Sequence, residues 1–262
     1  MIPYFNLEII RLGWLSIHVW GLFVSLGMLS AILFAYKLAK KQKLSEEIIF
    51  DGVLWMLVGA FIMARIFYVV AYNPSYFLIH PLDIIKAWQG GASSTGGFVG
   101  AFLGLCGYMK RHHLSWKDLL SYFDIFAVGL WLGWGVGRIG CFLTHQHPGK
   151  LTNFFLAVSY PGGSRFDLGL LEALVGLGLF FIYFSLFTYL SRKQPGLVAK
   201  YSVFTYLVTR FFLDFLRAYP QDYMGGDVRY WLLTPAQWVI IVVVIITSAL
   251  VIKTKRRCLK RP

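Results

Sequence analysis

The sequence predicts an all-α, polytopic membrane protein of seven transmembrane helices, with its amino terminus outside, its carboxyl terminus cytoplasmic and a small extracytoplasmic cap. Three observations predict it. Of 262 residues, 58% are hydrophobic and only 14% charged, where a soluble domain carries about a quarter charged residues. The apolar residues come in blocks, many near the roughly 20 residues that a bilayer core of about 30 Å requires. Basic residues fall in alternate loops between those blocks, the asymmetry that orients membrane proteins.

The blocks lie at Leu15–Tyr36, Asp51–Tyr72, Gly96–Met109, Leu119–Leu143, Leu168–Leu190, Val198–Leu216 and Leu233–Ile252. The third is short and glycine-rich (Gly96, Gly97, Gly100, Gly104, Gly107), a spacing that lets helix backbones approach closely. It reads as a central helix, or as a segment entering through a re-entrant loop. Sixteen of the 25 basic residues follow spans one, three, five and seven: Lys37 to Lys43, Lys110 to Lys117, Arg192 to Lys200 and the tail from Lys253. Six lie on the opposite side: Arg11, Lys86, Lys150, Arg165, Arg217 and Arg229. That fixes the orientation, and residues 1–262 read as one membrane domain. The amino-terminal segment lacks a basic n-region and a small-residue cleavage site, so the first block is expected to stay as a helix. The net charge of +13 sits in short loops rather than along one soluble face, which argues against nucleic acid. Cys106, Cys141 and Cys258 have no metal-ligand or redox spacing,.

Three basic residues lie inside spans: Arg65, Arg138 and Arg210. An arginine at a helix centre costs roughly 2.5–3.5 kcal/mol on insertion scales. A lone one snorkels to the interface, but these three share a depth, about 10–12 Å below the outer ends of their spans at 1.5 Å per residue. Three guanidiniums at one level need anions among them. Glu172 and Asp214 supply part of that charge, and a phosphodiester, which guanidinium matches with paired hydrogen bonds, supplies the rest. Four glycines surround Arg138 in Gly133-Trp-Gly-Val-Gly-Arg-Ile-Gly140, for helix packing, for close approach of a ligand, or for both. His145 and His147 follow at the outer surface. No third ligand accompanies them, so no metal is assigned. They read as inert interfacial histidines or as a general base.

These motifs resemble one family. Gly137-Arg-Ile-Gly-x-Phe142, ending at Gly149, is similar to the signature of the phosphatidylglycerol–prolipoprotein diacylglyceryl transferases. Ile17-His-Val-Trp-Gly-Leu22, Ala64-Arg-Ile-Phe-Tyr68 with Tyr72-Asn73, Trp88-Gln-Gly-Gly91 with Gly96-Gly97, Arg210 to Arg217 and Gln237 resemble its other motifs in order. The resemblance implies transfer of a diacylglyceryl group from phosphatidylglycerol to the lipobox cysteine of a prolipoprotein signal peptide, in the bacterial cytoplasmic (inner) membrane, with no cofactor. It implies that Arg138 and Arg210 are the essential phosphate-binding residues. Trp20, Arg65, Tyr68, Thr95, Gly96, Gly97, Cys141, Gln146, Gly149, Glu172, Asp214 and Arg217 would contact the substrates.

The chain also departs from the pattern. The family's His-Gly-Gly is Thr95-Gly96-Gly97, its Tyr-Gly is Trp20-Gly21, its Gly-Asn-Phe is Gly140-Cys141-Phe142, and its following acid is Gln146. Glu172 is kept, but the segment before it reads Arg165-Phe-Asp-Leu-Gly-Leu-Leu. His145 or His147 is expected to replace the missing histidine as base, unless the arginines lower the thiol's pKa unaided. A phospholipid-binding relative without the chemistry, or a transferase with another lipid or acceptor, are the alternative readings.

Overall fold

A computed structural model describes residues 1–13, 15–71, 74–86, 93–219, 221–222 and 229–259, with side chains except at 71, 94, 95 and 249–259. The Tyr72-Asn73 and Trp88–Gly91 motifs and the Thr95 side chain lie outside the described residues. The architecture is mostly helical: α1 (Val19–Lys41), α2 (Glu47–Ala71), a short α3 (Pro74–Ile79), α4 (Ser94–Arg111), α5 (Leu120–Leu143), α6 (Leu168–Lys193), α7 (Leu197–Leu213) and α8 (Pro235–Leu259). Each expected block overlaps one of these helices over its described residues. Among the described residues, α1, α2, α5 and α6 are each long and apolar enough to cross a membrane.

The helices end where local chemistry ends them. Lys40 and Lys41, Lys110 and Arg111, and Arg192 and Lys193 occupy last turns, where the helix dipole favours cations. Ser93 caps α4 by accepting the Gly96 N–H, and Asp167 caps α6 by accepting the Leu170 N–H at 2.9 Å,. At α8, Thr234 and Gln237 form a reciprocal capping box: the Thr234 N–H donates to Gln237 Oε1 at 2.9 Å and the Gln237 N–H to Thr234 Oγ1 at 3.3 Å,. Between α6 and α7 the chain turns through Gly196 at φ +85°, a conformation that only glycine adopts freely.

Two small sheets accompany the helices, which the apolar pattern does not predict. The first helix starts at Val19 rather than Leu15, because β3 (Leu15–His18) pairs antiparallel with β2 (Ile9–Leu12) across a turn at Gly13. The second sheet has the order β1 (Ile2–Pro3), β5 (Val158–Tyr160), β6 (Gly163–Asp167), β4 (Pro148–Leu151). It organises the segment between α5 and α6, and its alternation places Val158, Tyr160, Arg165 and Asp167 inside,.

The chain divides into two compact units, Ile32–Ile125 and the pairing of Met1–Ala31 with Phe126–Pro262. In the first, α2 and α4 meet along a glycine seam. A Cβ on Gly100 would collide with the carbonyl oxygen of Gly59, and one on Gly104 with that of Trp55. In the second unit the seam is between α1 and α5, where a Cβ on Gly133 would lie 2.7 Å from the Gly27 carbonyl oxygen and 3.0 Å from Ala31 Cβ. Of the glycines around Arg138, Gly133, Gly135 and Gly140 are thus packed closely, whereas a Cβ on Gly137 would meet only Val24 Cα at 4.0 Å,.

Gly100→Val should therefore destabilise the protein by about 1–3 kcal/mol or prevent folding, since overpacking against backbone cannot be relieved by a rotamer. Gly178→Ala, whose added methyl meets nothing within 4 Å, should be neutral or stabilise by about 0.5–1 kcal/mol. Thermal unfolding in detergent micelles compares the two directly.

Candidate active site: arginines on two buried carboxylates

The charged centre of the second unit is assembled by three neighbouring helices. Gly169 and Gly176 lie two turns apart on α6. A Cβ on Gly169 would lie 2.8 Å from the Cys141 carbonyl carbon, and one on Gly176 3.0 Å from Gly135 Cα. Both contacts press α6 against α5. Glu172, between these glycines on the same face, is thereby carried to the α5 backbone beside Arg138. Arg210 arrives from the last turn of α7, and Asp214 and Arg217 from the 3₁₀ turn Asp214–Leu216 and the residue after it.

Glu172 has no solvent exposure, and Asp214 is 1% exposed. Arg210 Nη1 donates to Glu172 Oε1 at 2.8 Å, and Arg217 Nη2 lies 3.6 Å from the same oxygen. Arg138 Nε is 2.7 Å from Glu172 Oε2, off the line of its N–H, so this is a charge contact rather than a linear hydrogen bond. Asp214 Oδ1 receives Arg217 Nε at 2.9 Å and Arg210 Nη2 at 3.2 Å. Its other oxygen accepts the Thr234 hydroxyl at 2.6 Å. Gln237 Nε2 donates to the Phe211 carbonyl at 2.9 Å, so the cap of α8 is tied to the end of α7 in two places. Three guanidiniums on two carboxylates leave one net positive charge. The carboxylates are sealed, whereas the side chains of Arg138 and Arg210 keep 20% and 16% exposure. An anion can therefore reach the cations but not their counter-ions.

The two histidines occupy different environments. His147 is half-buried. Burial first, then the charges of Arg138, Arg217 and Arg210, lower its pKa from 6.5 to about 4, so at neutral pH it is an uncharged imidazole beside a positive cluster. His145 is enclosed. Its backbone is left-handed at φ +46°, and Tyr4 stacks on its ring at 4.9 Å, with Phe5 at 4.8 Å and Phe142 edge-on at 5.6 Å. Its Nδ1 is 2.7 Å from Asp167 Oδ2, which also accepts the Tyr160 hydroxyl at 2.6 Å. Burial and Asp167 push that phenol well above its usual range. His145 Nε2 is buried without a hydrogen-bond partner among the described residues.

The other expected residues are placed as follows. Cys141 is buried and accepts from Arg138 Nη1 at 3.9 Å, with the Trp20 indole against its thiol. The Gln146 side chain is exposed. Gly149 is buried where three backbones converge: its Cβ would lie 2.7 Å from Leu216 O and 2.8 Å from Phe166 Cβ. Its carbonyl accepts Arg165 Nη1 at 3.1 Å, and it forms a β-bridge with Arg217. Arg65, Tyr68, Gly96 and Gly97 belong to the first unit. There Arg65 donates to the carbonyls of Ile84 (2.8 Å), Asp83 (2.6 Å) and Lys86 (3.3 Å) and lies over the rings of Phe77 and Tyr68. A Cβ on Gly96 would collide with the Met63 carbonyl oxygen, whereas Gly97 has only Ala64 Cβ nearby, at 3.9 Å. Sequence reasoning missed Asp167, Tyr160 and Thr234 as supporting residues. Thr234-Pro-Ala-Gln237 carries a capping-box signature that marks one of them; the other pair depends on strand register.

Fold and cluster together define a helical membrane protein with a positively charged polar centre held among α5, α6 and α7. The chain belongs to the prolipoprotein diacylglyceryl transferase family, whose model matches residues 8–253. It is 34% identical over 244 residues to the phosphatidylglycerol–prolipoprotein diacylglyceryl transferases of Brucella canis and Brucella ovis, covering 88% of this chain and 85% of each relative.

Two outcomes are expected. Glu172→Gln should cost about 3–5 kcal/mol, because it leaves clustered guanidiniums without their shared counter-ion; thermal unfolding reads it. His147 takes up no proton between pH 6.5 and about 4 while the unfolded chain does, so it makes stability fall as pH falls through that window. His147→Gln should flatten that part of a plot of Tm against pH.

Proposed function

We propose that the chain transfers a diacylglyceryl group from phosphatidylglycerol to the thiol of a lipobox cysteine in a prolipoprotein signal peptide, releasing glycerol phosphate. The single net positive charge of the Arg138–Arg210–Arg217 cluster, against Glu172 and Asp214, carries this reading, and family membership over residues 8–253 supports the chemistry. One phosphodiester brings the one negative charge that the cluster lacks. Arg138 and Arg210 are read as its principal ligands, with Arg217, held on the same two carboxylates, as a third.

The reaction is displacement at carbon. The acceptor S–H gives its proton to a base, the S–C bond forms at the glyceryl carbon, and the C–O bond to phosphate breaks. Glycerol phosphate leaves with the electron pair. Charge on the phosphate thus grows during the step, and fixed cations stabilise that growth more than the ground state. His147, uncharged and beside the cluster, is the base this reading prefers. His145, enclosed by rings, is read as support for the segment. Trp20 and Cys141 border Arg138, and Gly149 lets the outer backbones converge behind Arg217. Arg65, Tyr68, Thr95, Gly96, Gly97 and Gln146 stay as substrate-contact proposals on resemblance. Residues 1–262 act as one domain of seven spans in the bacterial cytoplasmic membrane, amino terminus outside and carboxyl terminus cytoplasmic. The distribution of Lys and Arg supports that topology,. Neither a metal nor an organic cofactor enters the step.

With purified protein, phosphatidylglycerol vesicles and a lipobox peptide, mass spectrometry should detect a diacylglyceryl-modified thiol. Arg138→Ala and Arg210→Ala should each abolish it, and Lys43→Ala should leave it intact. His147→Ala should lower turnover about 10²–10⁴-fold, the range of a general base. Full activity in both arginine variants would sink the phosphate site, and an unchanged rate in His147→Ala would remove the base. Arginine-dependent lipid binding without product would favour a binding relative or another acceptor, as the replacements at Thr95, Cys141 and Gln146 allow.

A further inference from the structure

A helix end leaves its last carbonyls without intrahelical donors, and the chain leaves α7 through Asp214 and Arg217, which help to build the charged cluster. Gln237 takes the Phe211 carbonyl. Beyond the helix, the carbonyl of Asp214, which also accepts the Arg217 N–H at 3.4 Å, and that of Arg217 are bonded by one side chain from the far end of the following loop. Arg229 Nη2 donates to the Arg217 carbonyl at 3.0 Å and to the Asp214 carbonyl at 3.3 Å, while its Nη1 donates to Leu232 O at 3.2 Å. The guanidinium carbon lies 4.7 Å from the centre of the Tyr219 ring, which also carries Lys150 Nζ at 4.7 Å. Arg229 therefore sits where the α7 dipole favours a cation and fixes the backbone on both sides of the 3₁₀ turn. That turn determines where Arg217 and Asp214 stand, and Asp214 in turn holds Arg210.

We infer that Arg229 is a positioning residue for the reaction: it touches no reacting atom, but sets the backbone from which Arg217 and Asp214 reach into the cluster. This rests on the reading of that cluster as the phosphate site. Because the cluster acts on charge that develops in the transition state, a misplaced turn weakens kcat more than substrate capture. Lysine keeps the cation at the helix end but lacks a fork to bridge carbonyls three residues apart, so it restores the function only in part.

The experiment is steady-state transfer by the full chain in phosphatidylglycerol vesicles, with Arg229→Ala and Arg229→Lys beside the unsubstituted protein, and Tm for each. Expected is a kcat lower by about 10–100-fold in Arg229→Ala, the scale of a small displacement of catalytic groups, with KM for the peptide and Tm little changed and Arg229→Lys in between. A kcat equal to the unsubstituted protein's, or a loss accounted for wholly by less folded protein, overturns the inference. If the unsubstituted protein transfers nothing, the transferase reading falls instead. Arg229 is then judged by phosphatidylglycerol retained in native mass spectrometry: less lipid on folded Arg229→Ala than on the unsubstituted protein sustains the positioning role, and equal retention ends it.

Discussion

Glu172 is a carboxylate with no exposure to solvent, and around it three cations from α5, α7 and the turn after α7 converge. An unpaired charge in such a place is untenable, and an arginine in an apolar helix carries its own cost. Each side makes the other tolerable. The ion distances depend in turn on how closely the α6 backbone approaches α5. That approach is set by Gly169 and Gly176, which flank Glu172 on the contact face. Side-chain bulk at either glycine would push α6 from α5 and so alter the ion distances as well as the packing.

Three arginines outside this cluster are held mainly by backbone carbonyls. Arg65 binds the carbonyls of the 83–86 turn, Arg165 the carbonyl of Gly149 with Asp222 Oδ2 3.6 Å away, and Arg229 the carbonyls of Asp214, Arg217 and Leu232. Carbonyl dipoles hold a guanidinium in place without cancelling its charge. These residues act as cross-links of the backbone, while Arg138, Arg210 and Arg217, lying on full negative charges, form a centre of defined net charge.

Much of this was legible from the residues. The blocks behind the long helices follow from apolar run length. The common depth read for Arg65, Arg138 and Arg210, with Glu172 and Asp214 as part of the counter-charge, fits Arg138 and Arg210, which lie on those acids, whereas Arg65 bonds the 83–86 turn. What stayed hidden has physical reasons. Leu15–His18 is as apolar as a helix start, and only its pairing with Ile9–Leu12 makes it a strand. Arg65 looks like Arg138 in a sequence, since carbonyl acceptors belong to every residue and leave no compositional trace. His145 and His147 are two positions apart and chemically identical, yet the turn after α5, left-handed at His145, sets one under Tyr4 and Phe5 and leaves the other beside the arginines.

The capping box of α8 has a consequence for how such a chain can diverge. Thr234 uses one hydroxyl both to receive the Gln237 N–H and to donate to Asp214, and Gln237 reaches back to Phe211. The start of one helix and the counter-ion of the charged centre are therefore a single inherited unit. Lengthening the acid at 214 displaces the hydroxyl at 234, and losing that hydroxyl frays α8 and unsettles the acid together. A change at 214, 234 or 237 therefore disturbs the partners of the other two.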